Sequence, residues 1–367
     1  MLNALLGRKH VIVSPRPQTT RHRIAGVLSH FEEDYATSET EKTVDIEYSN
    51  GDEETEETED DEETLDPSQM SDFDRALLAD LGSTSPRDVI ENWDELAPKP
   101  KVKTKQIEFS EFAASEEDER ILAGNFQIVF LDTPGIHEPQ HKLGETLVKN
   151  AKSALGDIEC VVFVGDATDR PHADDFRAAA LLQNIKVPVI LALNKCDVAQ
   201  ELSTRIEEFG ALYPFMATYL ISAQEGAGLD MLKAEIVRRL PDGVPYFPLG
   251  MTGDRPPEFH IEELVREQAM LQLREEIPHA VAVGVEMMEP RKGGTLFIEA
   301  FIHVERESQK RIVVGAGGSK IKEIGQAARK EIETLLGRPV YLELRVKVRD
   351  KWRDNEMWIQ RLGYSEK

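Results

Sequence analysis

The stretch FQIVFLDTPG, residues 126–135, decides the fold, because a strand-like apolar run ends there in a polar turn. The run is short, β-rich and nearly continuous in apolar residues, as buried parallel strands are. Segments whose apolar residues have helical spacing lie between this run and similar runs, for example at residues 143–155 and 173–184. The pattern predicts a doubly wound α/β sheet, which binds ligands at the carboxyl ends of its strands. The similar runs are Cys160 to Val164, Val187 to Leu193 and Thr218 to Ile221.

The first chemical motif is Asp132-Thr133-Pro134-Gly135, at the end of that strand. An aspartate there can hold Mg²⁺ through water, and the glycine N–H can approach a terminal phosphate because no Cβ intervenes. The same tetrapeptide also makes a serviceable turn with no ligand. Alone, it leaves both interpretations open.

Two further motifs follow later strands. Asn194-Lys195-Cys196-Asp197 contains a carboxylate that can accept two hydrogen bonds from the N1–H and N2–H₂ edge of guanine, a donor pair that adenine lacks. The pair Ser222-Ala223 offers a backbone N–H to guanine O6. Asp132 and Asn194 are 62 residues apart, and Asn194 and Ser222 are 28 apart. Three such turns in this order, each after a predicted strand, indicate a guanine-nucleotide domain.

Charge is distributed unevenly along the 367 residues. The net charge of −24 is concentrated in an acidic segment, since residues 32–66 contain eighteen Asp or Glu and one lysine, Lys42. Residues 306–353 contain thirteen Lys or Arg against six Asp or Glu. Residues 31–120 are poor in apolar side chains, and we predict that most of this insert is disordered. It could imitate RNA, bind a basic partner or be a tolerated loop extension.

The C-terminal region has the pattern of a KH RNA-binding domain. Strands are predicted at residues 280–285, 295–304 and 340–348, with a helix before and a basic helix after the loop Gly315-Ala316-Gly317-Gly318. A Gly-x-x-Gly loop lets four nucleotides approach the backbone, while nearby cations such as Lys320 and Lys322 meet phosphates. The alternative is a solvated basic helix with a flexible connector. Trp352 and Trp358 are predicted to pack the C-terminal tail rather than to stack on a base.

The two regions together resemble the Era family of GTPases, which act in small-subunit ribosome assembly. The resemblance rests on residues 2–9, on Gln18-Thr19-Thr20-Arg21-His22-Arg23-Ile24, on residues 132–136 and 194–197, and on residues 315–364. It implies a GTP-binding domain of the TrmE-Era-EngA type and a type II KH domain. It covers almost everything except roughly residues 31–120.

The resemblance also implies ligands and site residues. GTP or GDP would be bound by Asp132, Thr133, Pro134, Gly135, Asn194, Lys195, Asp197, Ser222 and Ala223. Mg²⁺ would be held by the first switch, through either Thr19 or Thr20, and indirectly by Asp132. RNA would be bound by Gly315, Ala316, Gly317, Gly318, Lys320 and Lys322. Ile136 replaces the water-orienting glutamine of some GTPases, so intrinsic hydrolysis should be slow.

The sequence lacks the phosphate-binding loop that is typical of the family. A Gly-x-x-x-x-Gly-Lys-Ser/Thr loop after the first strand ordinarily holds the phosphates, and the sequence contains no such loop. Either the sequence begins downstream of it, which we favour because the guanine-specific residues are intact, or the protein is a degenerate relative. Whether this chain is an enzyme is therefore undecided. We expect it to bind GTP poorly, with unpaired strand edges where the missing strand would lie.

The expected domains are a switch-bearing remnant at residues 1–30, the acidic insert at 31–120, the rest of the GTPase domain at 121–240, a linker at 241–257 and the KH domain at 258–367. The expected function is GTP-switched binding of 16S-type ribosomal RNA during small-subunit assembly. The alternative is a non-hydrolysing RNA-binding scaffold. The expected partners are this RNA and the small ribosomal subunit, and we expect a cytoplasmic monomer. Weak peripheral association with the inner membrane and an organellar location stay open.

Overall fold

The computed structural model describes residues 1–14, 19–31, 113–136, 139 and 141–365. An α/β part comes first, and its elements follow in chain order. They are α1 (Leu2–Leu6), β1 (Ile24–His30), α2 (Glu116–Ala123), β2 (Phe126–Asp132), α3 (Lys142–Ser153), β3 (Val161–Asp166), α4 (Ala173–Leu181), β4 (Val189–Asn194), α5 (Leu202–Gly210), β5 (Ala217–Leu220) and α6 (Leu229–Val237).

An α+β part follows. It consists of α7 (Pro257–Gln272), α8 (Ile277–Ala280), β6 (Ala282–Pro290), β7 (Leu296–Val304), α9 (Glu307–Val314), α10 (Ser319–Leu336), β8 (Val340–Val348) and α11 (Glu356–Arg361). The predicted strands and helices of both parts are confirmed, with ends that move by a few residues, as expected at element boundaries.

The α/β part contains two separate sheets. β3, β4 and β5 form a parallel sheet, whose central strand β4 is buried along nearly its whole length. β2 was also predicted as a buried parallel strand, but it pairs antiparallel with β1, from Ile24 opposite Asp132 to His30 opposite Phe126. Most of β2 is only partly buried. Among the described strands nothing bridges β2 and β3, so one edge of each lacks backbone partners, as we expected from the sequence.

Helix α2 corrects the predicted extent of the insert. We predicted that most of residues 31–120 is disordered, and a helix begins at Glu116, near the end of that range. Ser115 caps it, because its side chain accepts from the Asp118 N–H at 3.2 Å while Asp118 accepts from the Ser115 N–H at 2.9 Å. This Ser-x-x-Asp capping box was visible in the sequence. Arg238 of α6 donates to Asp118 at 2.6 Å and fixes the helix to the domain. Residues 32–112, which hold the acidic tract, lie outside the described residues.

The predicted linker, residues 241–257, runs beside β1. The N–H of Val27 donates to the carbonyl of Thr252 at 2.9 Å, and Gly26 forms an antiparallel bridge with Gly253. A Cβ at Gly253 would lie 2.6 Å from the carbonyl oxygen of Ala25, so only glycine permits this close approach. The linker therefore covers the edge of β1 that faces away from β2.

The C-terminal part has the predicted α-β-β-α-α-β order. Its sheet has the order β6-β7-β8, with β6 and β7 antiparallel and β7 and β8 parallel. Alternate residues of β7 pack against α7 and α10 to form one core. The members of this core on β7 are Leu296, Ile298, Ile302 and Val304.

The two parts are joined by a small mixed core. Leu143 and Leu147 of α3 pack with Trp352, Ile359 and Tyr364 of the C-terminal tail. Trp352 is completely buried, and its indole N–H donates to the carbonyl of Ala280 at 2.9 Å, which confirms its predicted packing role. The helix that follows the Asp132 motif is thus attached to the C-terminal domain. Within the described ranges, no helix is both long and apolar enough to span a membrane.

Candidate functional site

The predicted base-binding loops come together at the carboxyl ends of β4 and β5. The N–H of Ala223 donates to Asn194 Oδ1 at 2.9 Å, which joins two loops that are distant in sequence. The N–H of Cys196 donates to the Ile221 carbonyl at 3.1 Å and reinforces the junction. Because neighbouring parallel strands end at the same sheet edge, the two motifs share one site.

The two charged residues of the Asn194 motif lie in different surroundings. Lys195 has a left-handed φ of 66°, which is uncommon outside glycine and is typical of tight functional turns. Its Nζ lies 2.5 Å from Asp166 Oδ2 at the end of β3. Burial acts to raise the pKa of Asp166, but hydrogen bonds from Lys195 and Thr168 hold that pKa below its usual value. The Asp197 carboxylate is partly exposed and has no protein partner among the described residues, so it can receive a donor pair from a ligand.

The backbone N–H groups at Ser222 and Ala223 are engaged within the protein. The N–H of Ser222 donates to the Ala227 carbonyl at 3.0 Å, and that of Ala223 donates to Asn194. Guanine O6 could therefore accept a hydrogen bond from the Ala223 N–H only if the Asn194 side chain turned away from that N–H. Ser222 is fully buried, and its hydroxyl accepts from the Glu225 N–H at 3.1 Å. Its side chain thus stabilises the loop through this hydrogen bond.

Thr20 and Asp132 form the second part of the site. Thr20 Oγ1 donates to Asp132 Oδ2 at 3.3 Å, whereas the Thr19 hydroxyl lies 2.8 Å from that of Ser14. Hydroxyl and carboxylate oxygens are ligands that Mg²⁺ prefers, and this pair fits one side of a magnesium site. Burial raises the pKa of Asp132 to about 6, although the hydrogen bond from Thr20 opposes this rise. A cation beside Asp132 would favour its ionised form.

A cavity of about 1330 Å³ adjoins Asp132. It lies between the open edges of β2 and β3 and is bounded by Asp132, Thr133, Pro134 and Gly135 on one side and by Val161 to Val164 on the other. Gly135 is exposed, and among the described residues no neighbouring atom lies within 4 Å of where a Cβ would stand. The Asp132 motif therefore borders a space large enough for the phosphates of a nucleotide.

The Gly-x-x-Gly loop projects between α9 and α10. Gly315, Gly317 and Gly318 have φ values of 74°, 57° and 82°, in the left-handed region that disfavours side chains. A Cβ at Gly315 would lie 2.7 Å from the Lys320 Cβ, so glycine is also required there by packing. The two inner positions, Ala316 and Gly317, are free of such crowding and can meet a ligand backbone.

The predicted cations of the RNA site lie at the start of α10. Lys320 is paired with Glu323 at 2.5 Å, while Lys322 forms no ion pair within the described part of the chain. The helix N-terminus itself favours anions. The loop and Lys322 therefore present a positive surface for phosphates.

Sequence reasoning missed the groups that tie the threonines to the C-terminal domain. Arg21 is only 1% exposed and donates to the carbonyls of Val281 at 2.7 Å and His279 at 2.9 Å. Arg266 of α7 donates to the Thr19 carbonyl at 2.5 Å and forms a buried pair with Glu263. No local pattern marks these contacts, because the partners are about 250 residues apart in sequence.

Comparison with known proteins agrees with the geometry. A family model described as a 50S ribosome-binding GTPase matches residues 96–195, and a KH domain model matches residues 276–353. A crystal structure of Era in complex with MgGDPNP and nucleotides 1506–1542 of 16S ribosomal RNA is 30% identical, with a TM-score of 0.70. The match covers 100% of this chain and 93% of that one.

A second solved structure is equally similar. It is an Aquifex aeolicus Era variant bound to GDP and AlF₄⁻, also 30% identical with a TM-score of 0.70, and the match covers 100% of this chain and 94% of that chain. Identity at this level over nearly the whole relative, together with both domains in the same order, shows the family. The chain belongs to the Era family of GTPases.

Proposed function

We propose that this chain is an Era-like GTP-binding protein that binds 16S-type ribosomal RNA and acts in assembly of the small ribosomal subunit, with GTP hydrolysis as the switch. The observation that carries the proposal is the junction of the Asn194 and Ala223 loops in the same chain as a Gly-x-x-Gly loop. One relative of known structure holds MgGDPNP and a 16S ribosomal RNA segment, and the other holds GDP and AlF₄⁻. We place this function in the cytoplasm.

The proposed nucleotide roles follow from the geometry. Asp197 accepts from the guanine N1–H and N2–H₂ groups, and the stem of Lys195 lies along the base. Thr20, rather than Thr19, meets Mg²⁺, because its hydroxyl is the one that contacts Asp132. Bound Mg²⁺ would neutralise phosphate charge, while the cavity beside Gly135 accommodates the phosphates.

The proposed RNA role belongs to the C-terminal domain. Four nucleotides lie against Ala316 and Gly317, where small residues allow the backbone of the RNA to approach. Lys320 and Lys322 meet phosphates, so affinity should fall as salt rises. Small-subunit ribosomal RNA is the target that best fits the relatives, and the small ribosomal subunit is the resulting partner.

The test is a pair of binding measurements on the same preparation. Because the sequence contains no Gly-x-x-x-x-Gly-Lys-Ser/Thr loop, calorimetric titration in the presence of Mg²⁺ should give only weak binding of GTP and GDP and none of ATP. Fluorescence anisotropy with a labelled 3′-terminal 16S fragment should give saturable binding. Equal affinity for ATP and GTP would contradict the assignment of the base site. RNA binding without any guanine-nucleotide binding would support the alternative, a non-hydrolysing RNA-binding scaffold.

A further inference from the structure

A second cluster of cationic and aromatic groups lies outside both proposed sites. The guanidinium carbons of Arg349 and Arg361 lie 4.3 Å and 5.3 Å from the ring centroid of Trp358. The imidazole of His303 lies 5.9 Å from the same ring. These four residues are called the Trp358 cluster. The predicted packing of Trp358 within the C-terminal tail is confirmed, because Trp358 packs against the core that contains Trp352, Ile359 and Tyr364.

Within the described part of the chain, the two arginines of the Trp358 cluster lack carboxylate partners. Neither forms an ion pair with any residue in the described ranges, although nearby arginines do: Arg353 pairs with Glu305 at 2.6 Å, and Arg345 pairs with Glu343 at 2.5 Å. Two like charges on one ring repel each other, and stacking on the indole offsets this only partly. A bound anion would remove the repulsion.

Two buried polar atoms in the Trp358 cluster also have no hydrogen-bond partner among the residues that the structure describes. They are His303 Nδ1 and Arg349 Nε, and His303 is only 5% exposed. Buried polar atoms are usually satisfied, so unsatisfied ones call for a ligand or a function. Burial, together with the charges of Arg349, Lys347 and Arg361, lowers the pKa of His303 to about 4, although Glu286 opposes this. The imidazole is therefore neutral at pH 7, and the positive charge of the cluster comes from its two arginines.

One short helix, α9, separates the β7 end of the Trp358 cluster from the Gly-x-x-Gly loop. The N–H of Arg349 donates to the carbonyl of Val304 at 2.8 Å, at the point where β7 ends. The chain then enters α9, whose eight residues lead to the loop and span roughly 12 Å at 1.5 Å per residue. An RNA strand in the loop could reach the cluster with a few additional nucleotides.

We propose that the Trp358 cluster binds a phosphodiester group of RNA that extends beyond the four nucleotides held by the Gly-x-x-Gly loop. The proposal rests on the RNA-binding function proposed above. Arg349 and Arg361 donate charge-assisted hydrogen bonds to the phosphate oxygens, while Trp358 holds both guanidiniums in place. Free phosphate has the same chemistry, so the experiment must separate the two sources.

The test compares two RNA lengths in the full chain. The variant Arg349→Gln/Arg361→Gln removes both charges, and Arg345→Gln on the same sheet is the matched control. Anisotropy is measured with a 5-nucleotide and a 12-nucleotide single strand at several salt concentrations. We expect the double variant to weaken binding of the longer RNA about 10-fold and to reduce its salt slope by about 1.4, the value for two phosphates of a single strand. Binding of the shorter RNA and the control variant should be unchanged.

The outcomes separate this inference from the proposed function. Equal binding of the longer RNA by wild type and double variant, with the loop variant Ala316→Asp/Gly317→Asp impaired, would overturn the inference and leave the function intact. Failure of the wild type to bind either RNA would overturn both. The last measurement is a titration with inorganic phosphate. Saturation by phosphate at millimolar concentration, without competition against the longer RNA, would assign the cluster to a free anion and contradict the proposal.

Discussion

Arg21 Nη1 donates a hydrogen bond of 2.7 Å to the carbonyl oxygen of Val281, so the residue next to Thr20 is anchored inside the KH domain. The same guanidinium reaches the carbonyl of His279 at 2.9 Å. His22 stacks on Tyr364 with a centroid separation of 4.7 Å. The threonine segment is therefore positioned by the C-terminal domain, although it precedes that domain by more than 200 residues.

The first prediction concerns this anchor. Arg21→Met should lower the free energy of unfolding by about 2–4 kcal/mol, because buried carbonyls lose charge-assisted donors. Chemical denaturation measures the loss, and hydrogen exchange should rise at residues 277–281. Arg120→Met on α2, an exposed arginine, is the matched control and should change little. Equal stability of the two variants would show that Arg21 does not anchor the segment.

The second prediction concerns base selection. Asp197→Asn should weaken GTP binding by about 100-fold or more, because an amide cannot accept from both guanine donors. Xanthine offers one donor and one acceptor on that edge, so affinity for XTP should rise in the same variant. Competition between labelled GTP and XTP measures the ratio. Asp230→Asn, at an exposed position on α6, is the control. An unchanged GTP to XTP ratio in Asp197→Asn would remove Asp197 from the site.

The third prediction concerns the RNA loop. Ala316→Asp/Gly317→Asp should reduce affinity for single-stranded RNA by about 10-fold or more, since it adds charge and bulk beside phosphates. Gly293→Asp/Gly294→Asp is the matched control, because those glycines also have positive φ, at 82° and 81°, but lie in the β6–β7 turn. Anisotropy measures both. Comparable losses in the two variants would mean that charge alone, and not the loop, explains the effect.

The fourth prediction concerns pH. Burial raises the pKa of Glu262 to about 7, although its carboxylate accepts from the Val285 N–H at 2.8 Å. The folded state then binds a proton more readily than the unfolded state, so stability should fall as pH rises from about 4.5 to 7. Glu262→Gln keeps the acceptor and should be more stable than wild type at pH 8, by about 1–3 kcal/mol.

Denaturation at several pH values tests the pH prediction. The exposed Glu289→Gln on β6 serves as the control and should follow the wild-type curve. The raised pKa of Glu262 would be contradicted if the free energy of unfolding of the wild type did not fall between pH 4.5 and 7. It would also be contradicted if the free energy of unfolding of Glu262→Gln had the same pH dependence as that of the wild type.

The fifth prediction concerns the open strand edges. Amides of β2 and β3 that lack partners should exchange faster than those of β7, which is paired on both sides. The α/β part should also unfold at a lower denaturant concentration than the KH part. Hydrogen-exchange mass spectrometry across a urea series measures both effects. Equal protection of β3 and β7 would indicate that the edges are covered in solution.

Local sequence determined the elements and the chemistry of the motifs. Strand β2 and the motif at Asp132 follow from an apolar run and a turn, and both signals lie within ten residues. The capping box at Ser115 is equally local, although we overlooked it. The prediction that Asp197 selects guanine rests on residue type and order. Such features could be predicted because their physical causes act between near neighbours in the chain.

Tertiary structure alone decided which of these residues meet. It selected Thr20 over Thr19 as the partner of Asp132, engaged the Ala223 N–H with Asn194, and placed Arg349 and Arg361 on Trp358. It also paired β2 with β1 and left an edge of β3 open. These outcomes depend on packing and hydrogen bonding between segments far apart in sequence, and no local pattern of side chains encodes which distant partner is closest.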